Sequence, residues 1–507
     1  MLVAGTVLGA GGAYAQPSPT PGGHSTSRGG NDDRDNQDEG QGGRDGKKGT
    51  PGKDKGRSPT RRADQPAPTP GGGSDAAAAR PAPAAGALLA AAEPGADTPT
   101  AQGLQQALAP LLADKSLGTV TIAVADAENG QLLYGSGENT AATPASTTKL
   151  ATSIAALSLI PGDTRLTTRA VKGAAPGAVT LVGGGDPTLT ALPADQVQIG
   201  GQPVDPDTAP ASLVELARQT AAALKAAGTT TVTLDYDVSL YSGTPLHKFH
   251  DDDTNIAPVV PLMVDEGRVD AKSREEAPKR VADPAASAAE AFAGLLKAQG
   301  VTVEGKAKPA AAPAAADAPV LGRVDSPTVA RLVERLLTTS DNQLAEAIAR
   351  QAAIAGHQPA SFEGAATAVT QELTRLGVPM TGTTLNDGSG LHTGNAVPPA
   401  VLTRLLALAA SGRHPALRPV LTGLPVAGFT GTLAKRYGQG SGSADAAGLV
   451  RAKTGSLNGV NTLAGTVVDA DGRLLAFAVM TRTTAPADTA RAAMDRIAAH
   501  LTTCGCH

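Results

Sequence analysis

The spacing of apolar residues separates an aperiodic arm from a folded part that begins near Thr100. Residues 103–114 place apolar side chains at helical spacing and predict a short helix. Residues 118–137 alternate apolar and polar side chains around Asn129-Gly130, which predicts two strands joined by a tight turn. Helical spacing resumes at Leu150, so Ser146 is predicted to lie at the start of a helix.

The pattern changes between residues 166 and 320. This segment contains strand-like runs at 178–185 and 229–237 and one amphipathic helix at 210–228. It ends in a Pro/Ala-rich stretch, 306–320, that is typical of a connection. We therefore interpret residues 166–320 as an inserted, smaller α+β domain.

The sequence after this segment returns to helices and then to strands. A helix is predicted from Ser326-Pro327, and it breaks at Ser340-Asp341-Asn342, which should form a turn before a second helix. Residues 448–483 contain three strand-like runs with a turn at Asp471-Gly472, and a last helix follows. A sheet built from both chain ends and covered by helices is the economical arrangement. The predicted fold is α/β, with its main domain at 101–165 and 321–507.

Composition limits the partners of this 507-residue chain. Its net charge of -4 and pI near 6.1 give no general attraction to nucleic acid, and tryptophan is absent. Residues 1–15 resemble a signal peptide that ends in Ala13-Tyr14-Ala15, and no later stretch is long enough for a transmembrane span. Residues 16–100 have the low complexity of a disordered spacer, although the basic cluster 47–62 could also contact a polyanion.

The only two cysteines, Cys504 and Cys506, lie at the carboxyl terminus. We predict a small disulfide there in preference to a metal site, because one histidine and two cysteines make an incomplete ligand set. The segment His247–Asp253 contains two histidines and three aspartates and could hold a divalent ion, but a solvated loop is the favoured interpretation. No metal or cofactor is predicted.

Three short motifs carry the candidate chemistry. In chain order they are Ser146-Thr147-Thr148-Lys149, Ser340-Asp341-Asn342 and Lys453-Thr454-Gly455. Residues three apart share a helix face, so the Lys149 amine can reach the Ser146 hydroxyl and remove its proton. That transfer requires a lowered lysine pKa, which burial and the nearby charge of Lys453 would provide. Any one motif alone would be weak evidence for catalysis, because the first motif by itself would also serve as a helix N-cap.

The other motif residues suit substrate binding. Ser340 and Asn342 could pass a proton to a leaving amine and bond a substrate amide, and Asp341 between them is predicted to contribute to substrate binding. Lys453 and Thr454 could bind a free carboxylate, and Gly455 would let a substrate backbone approach. The backbone N–H groups of Ser146 and Ser456 could form an oxyanion hole.

With these motifs in this order, the sequence resembles the penicillin-recognising serine D-Ala-D-Ala carboxypeptidases, specifically the penicillin-binding protein 4 type of peptidase family S13. The runs 181–189, 385–395, 424–437 and 453–465 support this subgroup, and the resemblance covers about 101–502. It implies a transpeptidase-like domain that cleaves peptidoglycan stem peptides ending in D-Ala-D-Ala through an acyl group on Ser146. It also implies inhibition by β-lactams, an exported or wall-associated location, and in many members DD-endopeptidase activity.

The sequence departs from the family pattern in two ways. The segment between Ser146 and Ser340 is shorter than in members with two inserted domains, so we expect one, and His392 stands where the family has serine. His392 could tune the pH response, although a surface position is the simpler interpretation.

Two alternative functions are disfavoured. A serine β-lactamase is disfavoured because no E-x-x-L-N loop precedes Lys453. A non-catalytic wall-binding or β-lactam-sensing protein is disfavoured because the serine and both lysines are present.

Overall fold

The computed structural model describes residues 97–507 apart from 200–201, 205–206, 250–253, 274 and 276. The predicted signal peptide and residues 16–96 of the predicted arm lie outside the described residues. The three aspartates of the candidate metal segment and His250 also lie outside the described residues. Among the described residues, no helix has the length and apolar character needed to cross a bilayer.

The described chain contains ten helices and twelve strands, with short 3₁₀ turns between them. The helices are α1 (Ala101–Leu112), α2 (Thr148–Leu159), α3 (Leu213–Ala226), α4 (Pro284–Ala298), α5 (Val329–Thr339), α6 (Asn342–Ala355), α7 (Phe362–Arg375), α8 (Pro399–Ala410), α9 (Arg418–Thr422) and α10 (Ala487–Thr503). The strands are β1 (Thr119–Asp126), β2 (Leu132–Ser136), β3 (Arg165–Lys172), β4 (Ala178–Val182), β5 (Gln198–Ile199), β6 (Gln202–Pro203), β7 (Thr231–Asp237), β8 (Thr302–Pro309), β9 (Val320–Thr328), β10 (Arg451–Leu457), β11 (Val460–Val468) and β12 (Leu474–Arg482).

A five-stranded antiparallel sheet joins the two ends of the described chain in the order β10-β11-β12-β1-β2. Side chains of β12 alternate between its faces, as strand geometry requires. Leu475, Phe477 and Val479 pack toward α1 and α10, whereas Ala478 and Met480 pack toward α2 and α8. The sheet is therefore buried on both sides, and the predicted α/β architecture with a helix-covered antiparallel sheet is confirmed.

A second five-stranded sheet, the mixed sheet, includes β3 and β9 and strands from the chain between them, in the order β8-β7-β4-β3-β9. It has both antiparallel and parallel strand pairs. Its β4, β7 and β8 are parallel neighbours because α3 and α4 make the connections between them. Leu216 and Phe292 from these helices pack on Val232 and Leu234 of β7. This segment overlaps the predicted inserted domain, 166–320, but β9 continues to Thr328 and so lies mostly beyond its predicted end. The division of the chain into these two domains stays a prediction.

Both predicted tight turns are confirmed, but the predicted start of one helix is wrong. Ser326 and Pro327 belong to β9, and α5 begins at Val329. The reason is that Ser326 Oγ accepts a bond from the backbone of Leu166 on β3, whereas Thr328 provides the N-cap. At the carboxyl terminus, Cys504 and Cys506 form the predicted disulfide.

Candidate active site

Ser146 lies in a 3₁₀ turn, Ala145–Thr147, that leads directly into α2. Ala145 has a left-handed backbone (φ 46°), which turns the chain sharply before the serine. The hydroxyls of Thr147 and Thr148 donate to the carbonyls of Pro144 and Ala145, at 2.7 and 2.8 Å. Two hydroxyl groups of the motif thus fix the turn and leave the Ser146 side chain half-buried.

Lys149 lies one turn further along α2, and its side chain is completely buried. Its Nζ atom donates to Ser146 Oγ at 2.9 Å, to Asn342 Oδ1 at 2.7 Å and to the Ser389 carbonyl at 2.7 Å. An ammonium group has three protons, so these acceptors account for all of its donors. The amine therefore has one orientation, and that orientation includes the Ser146 hydroxyl.

Burial lowers the pKa of Lys149 to about 8, because an ammonium ion is poorly solvated inside the protein. The carboxylates of Asp387, Asp341 and Glu346 oppose this change. Burial also lowers the pKa of Lys453 well below its usual value, and the positive charge of Lys149 lowers it further. Repulsion between two ammonium groups is mutual, and the predicted effect of Lys453 on the pKa of Lys149 stays a prediction.

The Ser340-Asp341-Asn342 turn lies between α5 and α6, as predicted. Ser340 ends α5 with a left-handed backbone (φ 59°), and Asp341 caps α6 by accepting from the Leu344 N–H at 2.8 Å. Asn342 Oδ1 faces Lys149, while its Nδ2 donates to the Asn255 carbonyl at 3.1 Å. The amide of Asn342 is thus held from both ends.

Lys453 lies on β10, the edge strand beside this turn, and is fully buried. Its Nζ donates to Ser340 Oγ at 2.8 Å and to the Thr454 carbonyl at 2.7 Å. The site therefore contains two lysine–serine pairs, one on the α2 side and one on the β10 side.

Gly455 allows β10 to lie against the turn that contains Ser146. A Cβ atom at this position would lie 2.1 Å from Thr462 Oγ1, 2.8 Å from the Pro144 carbonyl and 2.9 Å from Ser146 N. No side chain fits at such distances, so the third motif needs glycine for contact within the protein, in addition to any contact with substrate.

The predicted substrate-binding residues have unequal surroundings. Thr454 Oγ1 hydrogen bonds to Thr432 Oγ1 at 2.7 Å, which places two hydroxyls beside β10. Ser456 is exposed, and its Oγ accepts from Arg491 at 3.0 Å. Asp341 instead uses its carboxylate within the protein, as the cap of α6 and as a hydrogen-bond partner of Glu266.

The sequence interpretation missed several groups at this site. Thr432 lies in the run 424–437, which supports the family resemblance but does not by itself indicate a role for this threonine. The carbonyls of Asn255 and Ser389 could not be identified, because a backbone acceptor has no residue signature. Glu266 was also missed; it is buried, and Arg268 and Arg335 both donate to its carboxylate.

The candidate metal segment contributes one described residue to a buried cluster, His247, Glu346 and Asp387. Their ligand atoms lie within 4.8 Å of one another. Glu346 also accepts from the backbone N–H groups of Gly388 and Ser389. His392 is half-buried rather than on the open surface, and burial lowers its pKa.

The fold and the two lysine–serine pairs define a serine peptidase of the penicillin-recognising class. The model of the D-Ala-D-Ala carboxypeptidase 3 (S13) family matches residues 104–279 and 271–501, and the chain belongs to this family. It is 37% identical over 418 residues to carboxypeptidase DacB of Mycolicibacterium smegmatis. The aligned region covers 81% of this chain and 86% of that protein. A carboxypeptidase of Mycobacterium tuberculosis is 36% identical over 421 residues, with the same coverage of both chains.

Among solved structures, penicillin binding protein 4 of Haemophilus influenzae superimposes with a TM-score of 0.60. It is 21% identical and covers 77% of this chain and 97% of its own, so the likeness shows the fold. That protein has also been solved with a β-lactam bound. The predicted family and the predicted enzyme class, a serine-type D-Ala-D-Ala carboxypeptidase, are confirmed.

Proposed function

We propose that Ser146 is the nucleophile and Lys149 the general base of an exported carboxypeptidase that trims peptidoglycan stem peptides. One observation carries this proposal: the buried Lys149 amine lies 2.9 Å from the Ser146 hydroxyl. A general base must be within hydrogen-bond reach of the proton that it removes, and this pair meets that condition. The lowered pKa of Lys149 supplies the neutral amine that the role requires.

In the acylation step, Ser146 Oγ attacks the carbonyl carbon of the penultimate D-Ala while its proton moves to Lys149 Nζ. The C–N bond to the terminal D-Ala breaks, and the leaving amine takes a proton from Ser340, which takes one in turn from the Lys453 ammonium to which it is hydrogen bonded. The product is an ester on Ser146 and free D-Ala. Water then attacks the ester and gives a proton to Lys453 through Ser340, while Ser146 takes its proton back from Lys149 as the ester bond breaks. The shortened stem peptide leaves with a new carboxylate, and both lysines and both serines are restored.

Two groups of residues would recognise the substrate. Lys453, Thr454 and Thr432 line one side, where a free carboxylate would favour the protonated form of Lys453. The N–H groups of Ser146 and Ser456 remain the proposed oxyanion hole, and the contact between Gly455 and the Ser146 backbone supports their proximity. Asn342 is proposed to bind a substrate amide, whereas Asp341 is now proposed to support the turn.

The same serine is proposed to react with β-lactams. These molecules contain a strained amide, whose carbonyl carbon the serine would attack, and also carry a carboxylate. This proposal draws support from the H. influenzae protein, which has been solved with such a compound. Export stays a prediction from residues 1–15, which precede the described chain.

Digestion of purified peptidoglycan by the wild type and by Ser146→Ala protein tests the proposal, with products identified by mass spectrometry. The wild type should release D-Ala, and the variant should release none. Loss of cross-linked dimers in the same digest would reveal the DD-endopeptidase activity expected from the resemblance. Equal release of D-Ala by the two proteins would overturn the assignment of Ser146, and turnover of β-lactam without release of D-Ala would favour a β-lactamase.

A further inference from the structure

His247 belongs to none of the three motifs, yet its imidazole is buried next to the loop that contacts Lys149. The residue is 3% exposed and lies in the chain between β7 and α4. Its ring packs edge-on against Phe362, with 5.1 Å between ring centroids. A polar ring in such surroundings needs hydrogen-bond partners for both nitrogens.

The two nitrogens of His247 have different partners, which fixes the tautomer. The backbone N–H of Phe249 donates to Nδ1 at 3.0 Å, so Nδ1 is the acceptor. In a neutral imidazole, Nε2 then carries the hydrogen. Nε2 lies 3.0 Å from Asp387 Oδ2, and it therefore donates to that carboxylate.

Asp387 in turn shapes the loop that follows it. Its carboxylate accepts from the N–H of Gly390 at 3.0 Å, from the N–H of His392 at 2.7 Å and from Asn395 Nδ2 at 2.6 Å. These bonds close the chain into a tight turn around Ser389. The carbonyl of Ser389 points to the active site, where it accepts from Lys149 Nζ at 2.7 Å.

We propose that His247 is a positioning residue for Lys149 and acts through Asp387. The imidazole fixes one oxygen of Asp387, and Asp387 fixes the turn that presents the Ser389 carbonyl. Without that carbonyl in place, the Lys149 amine loses one of its three acceptors and its single orientation toward Ser146. The proposal rests on the function proposed above, because it assigns Lys149 the role of base.

A metal ion at this cluster is the competing explanation, and the hydrogen bonds argue against it. Nε2 of His247 carries a hydrogen and so offers no lone pair to a cation. Each oxygen of Asp387 already accepts at least two hydrogen bonds, and Glu346 accepts from the backbone N–H groups of Gly388 and Ser389. His247 and Asp387 thus have their hydrogen-bonding capacity met without an ion.

A cavity of about 580 Å³ beside His247 makes chemical rescue practical. His247, Phe362 and His392 are among its lining residues. In His247→Ala protein, free imidazole could enter this cavity, accept from the Phe249 N–H and donate to Asp387. Imidazole would restore only the missing hydrogen bonds, since it has no link to the chain.

The experiment measures acylation of the full chain by a fluorescent penicillin, with the acylation rate constant and the dissociation constant of the initial complex determined separately. His247→Gln keeps a donor for Asp387, and His247→Phe keeps a ring but has no donor. His500→Phe, at an exposed position of α10, is the matched control. Thermal unfolding of each protein is measured in parallel.

We expect His247→Phe to acylate about tenfold more slowly or worse, because misplacing a catalytic group by about 1 Å can cost roughly 100-fold. Its dissociation constant should be unchanged, His247→Gln should stay close to wild type, and imidazole should accelerate His247→Ala. Wild-type rates in His247→Phe, or equal losses in the Phe and Gln variants, would overturn the proposal. If only His247→Gln folds, a large loss of its rate would overturn it.

Two further outcomes separate this proposal from its alternatives. Loss of acylation after treatment of the wild type with a chelator would replace the positioning role with a metal site. Failure of the wild type to be acylated at all would refute the proposed function itself, whereas a wild-type reaction that His247 variants share refutes only the present inference.

Discussion

The two five-stranded sheets of the described chain contribute to the site in different ways. The motif side chains come from β10 of the antiparallel sheet, from the turn and helix that contain Ser146 and Lys149, and from the connection between α5 and α6. The mixed sheet lies in the intervening chain and contributes none. What reaches the site from that chain is the carbonyl of Asn255 and the side chains of Glu266 and His247.

At the first sheet, β10 touches the Ser146 turn so closely that only glycine fits at 455. The chain that forms the mixed sheet also has crowded glycines, such as Gly184 and Gly322, whereas a Cβ atom at Gly294 of α4 would meet nothing within 4 Å. What distinguishes Gly455 is its neighbour, because a side chain there would displace the backbone of the proposed nucleophile.

The largest effect is expected from replacing the proposed base. Lys149→Met keeps the length and burial of the side chain but removes the amine that receives the proton. General-base catalysis contributes roughly 100- to 10,000-fold, so the acylation rate constant should fall by about that factor. Lys172→Met at the exposed end of β3 is the control and should react normally. Normal acylation of Lys149→Met would remove the base from the mechanism.

The next effect is steric. Gly455→Ala introduces a Cβ atom 2.9 Å from the Ser146 backbone nitrogen, so the turn or β10 must shift. We expect roughly a 100-fold loss of acylation, as for other displacements of about 1 Å. Gly294→Ala, its control in α4, should acylate normally and gain up to about 1 kcal/mol in free energy of unfolding. Equal acylation by the two variants would show that the close approach of β10 to the Ser146 turn is not needed for the reaction.

A smaller effect follows from the pKa of Lys149. Burial lowers this pKa to about 8, and only the neutral amine can accept the Ser146 proton. The acylation rate constant should therefore rise as pH increases, by about tenfold per unit well below pH 8, and level off above it. A stopped-flow pH series tests this, and a rate that falls as pH rises through 8 would contradict it.

The smallest effect on chemistry is expected in the core of the mixed sheet. Phe292 is fully buried against that sheet, so Phe292→Ala should lower the free energy of unfolding by about 3 to 5 kcal/mol. Protein that remains folded at low temperature should still acylate within about threefold of wild type. A large loss of acylation in folded Phe292→Ala protein would show that this core controls the site directly.

The sequence allowed the fold class and the three motifs to be predicted because both depend on local patterns. Asn129-Gly130 and Asp471-Gly472 specify tight turns by their own backbone preferences. Ser146 and Lys149 are three residues apart, so helix geometry alone brings them together. The start of α5 was misplaced because a tertiary bond between Ser326 and β3 keeps β9 extended.

The supporting groups could not be predicted because their partners lie far away in the chain. His247 contacts Asp387, which is 140 residues away. Glu266 contacts Arg335, which is 69 residues away. Glu266 is ordinary in its local sequence, and the local sequence of His247 indicated only a candidate metal ligand. The Ser389 and Asn255 carbonyls have no sequence signature at all. Only the folded chain shows which ordinary residues surround the base.

The central claim is that Ser146 forms the covalent bond with substrate while Lys149 removes its proton. Incubation with penicillin, digestion and mass spectrometry of the peptides test the covalent bond directly. The account predicts one acylated peptide, the one that contains Ser146, and no adduct in Ser146→Ala protein. An adduct on any other serine, or a wild-type protein that remains unmodified, would contradict it.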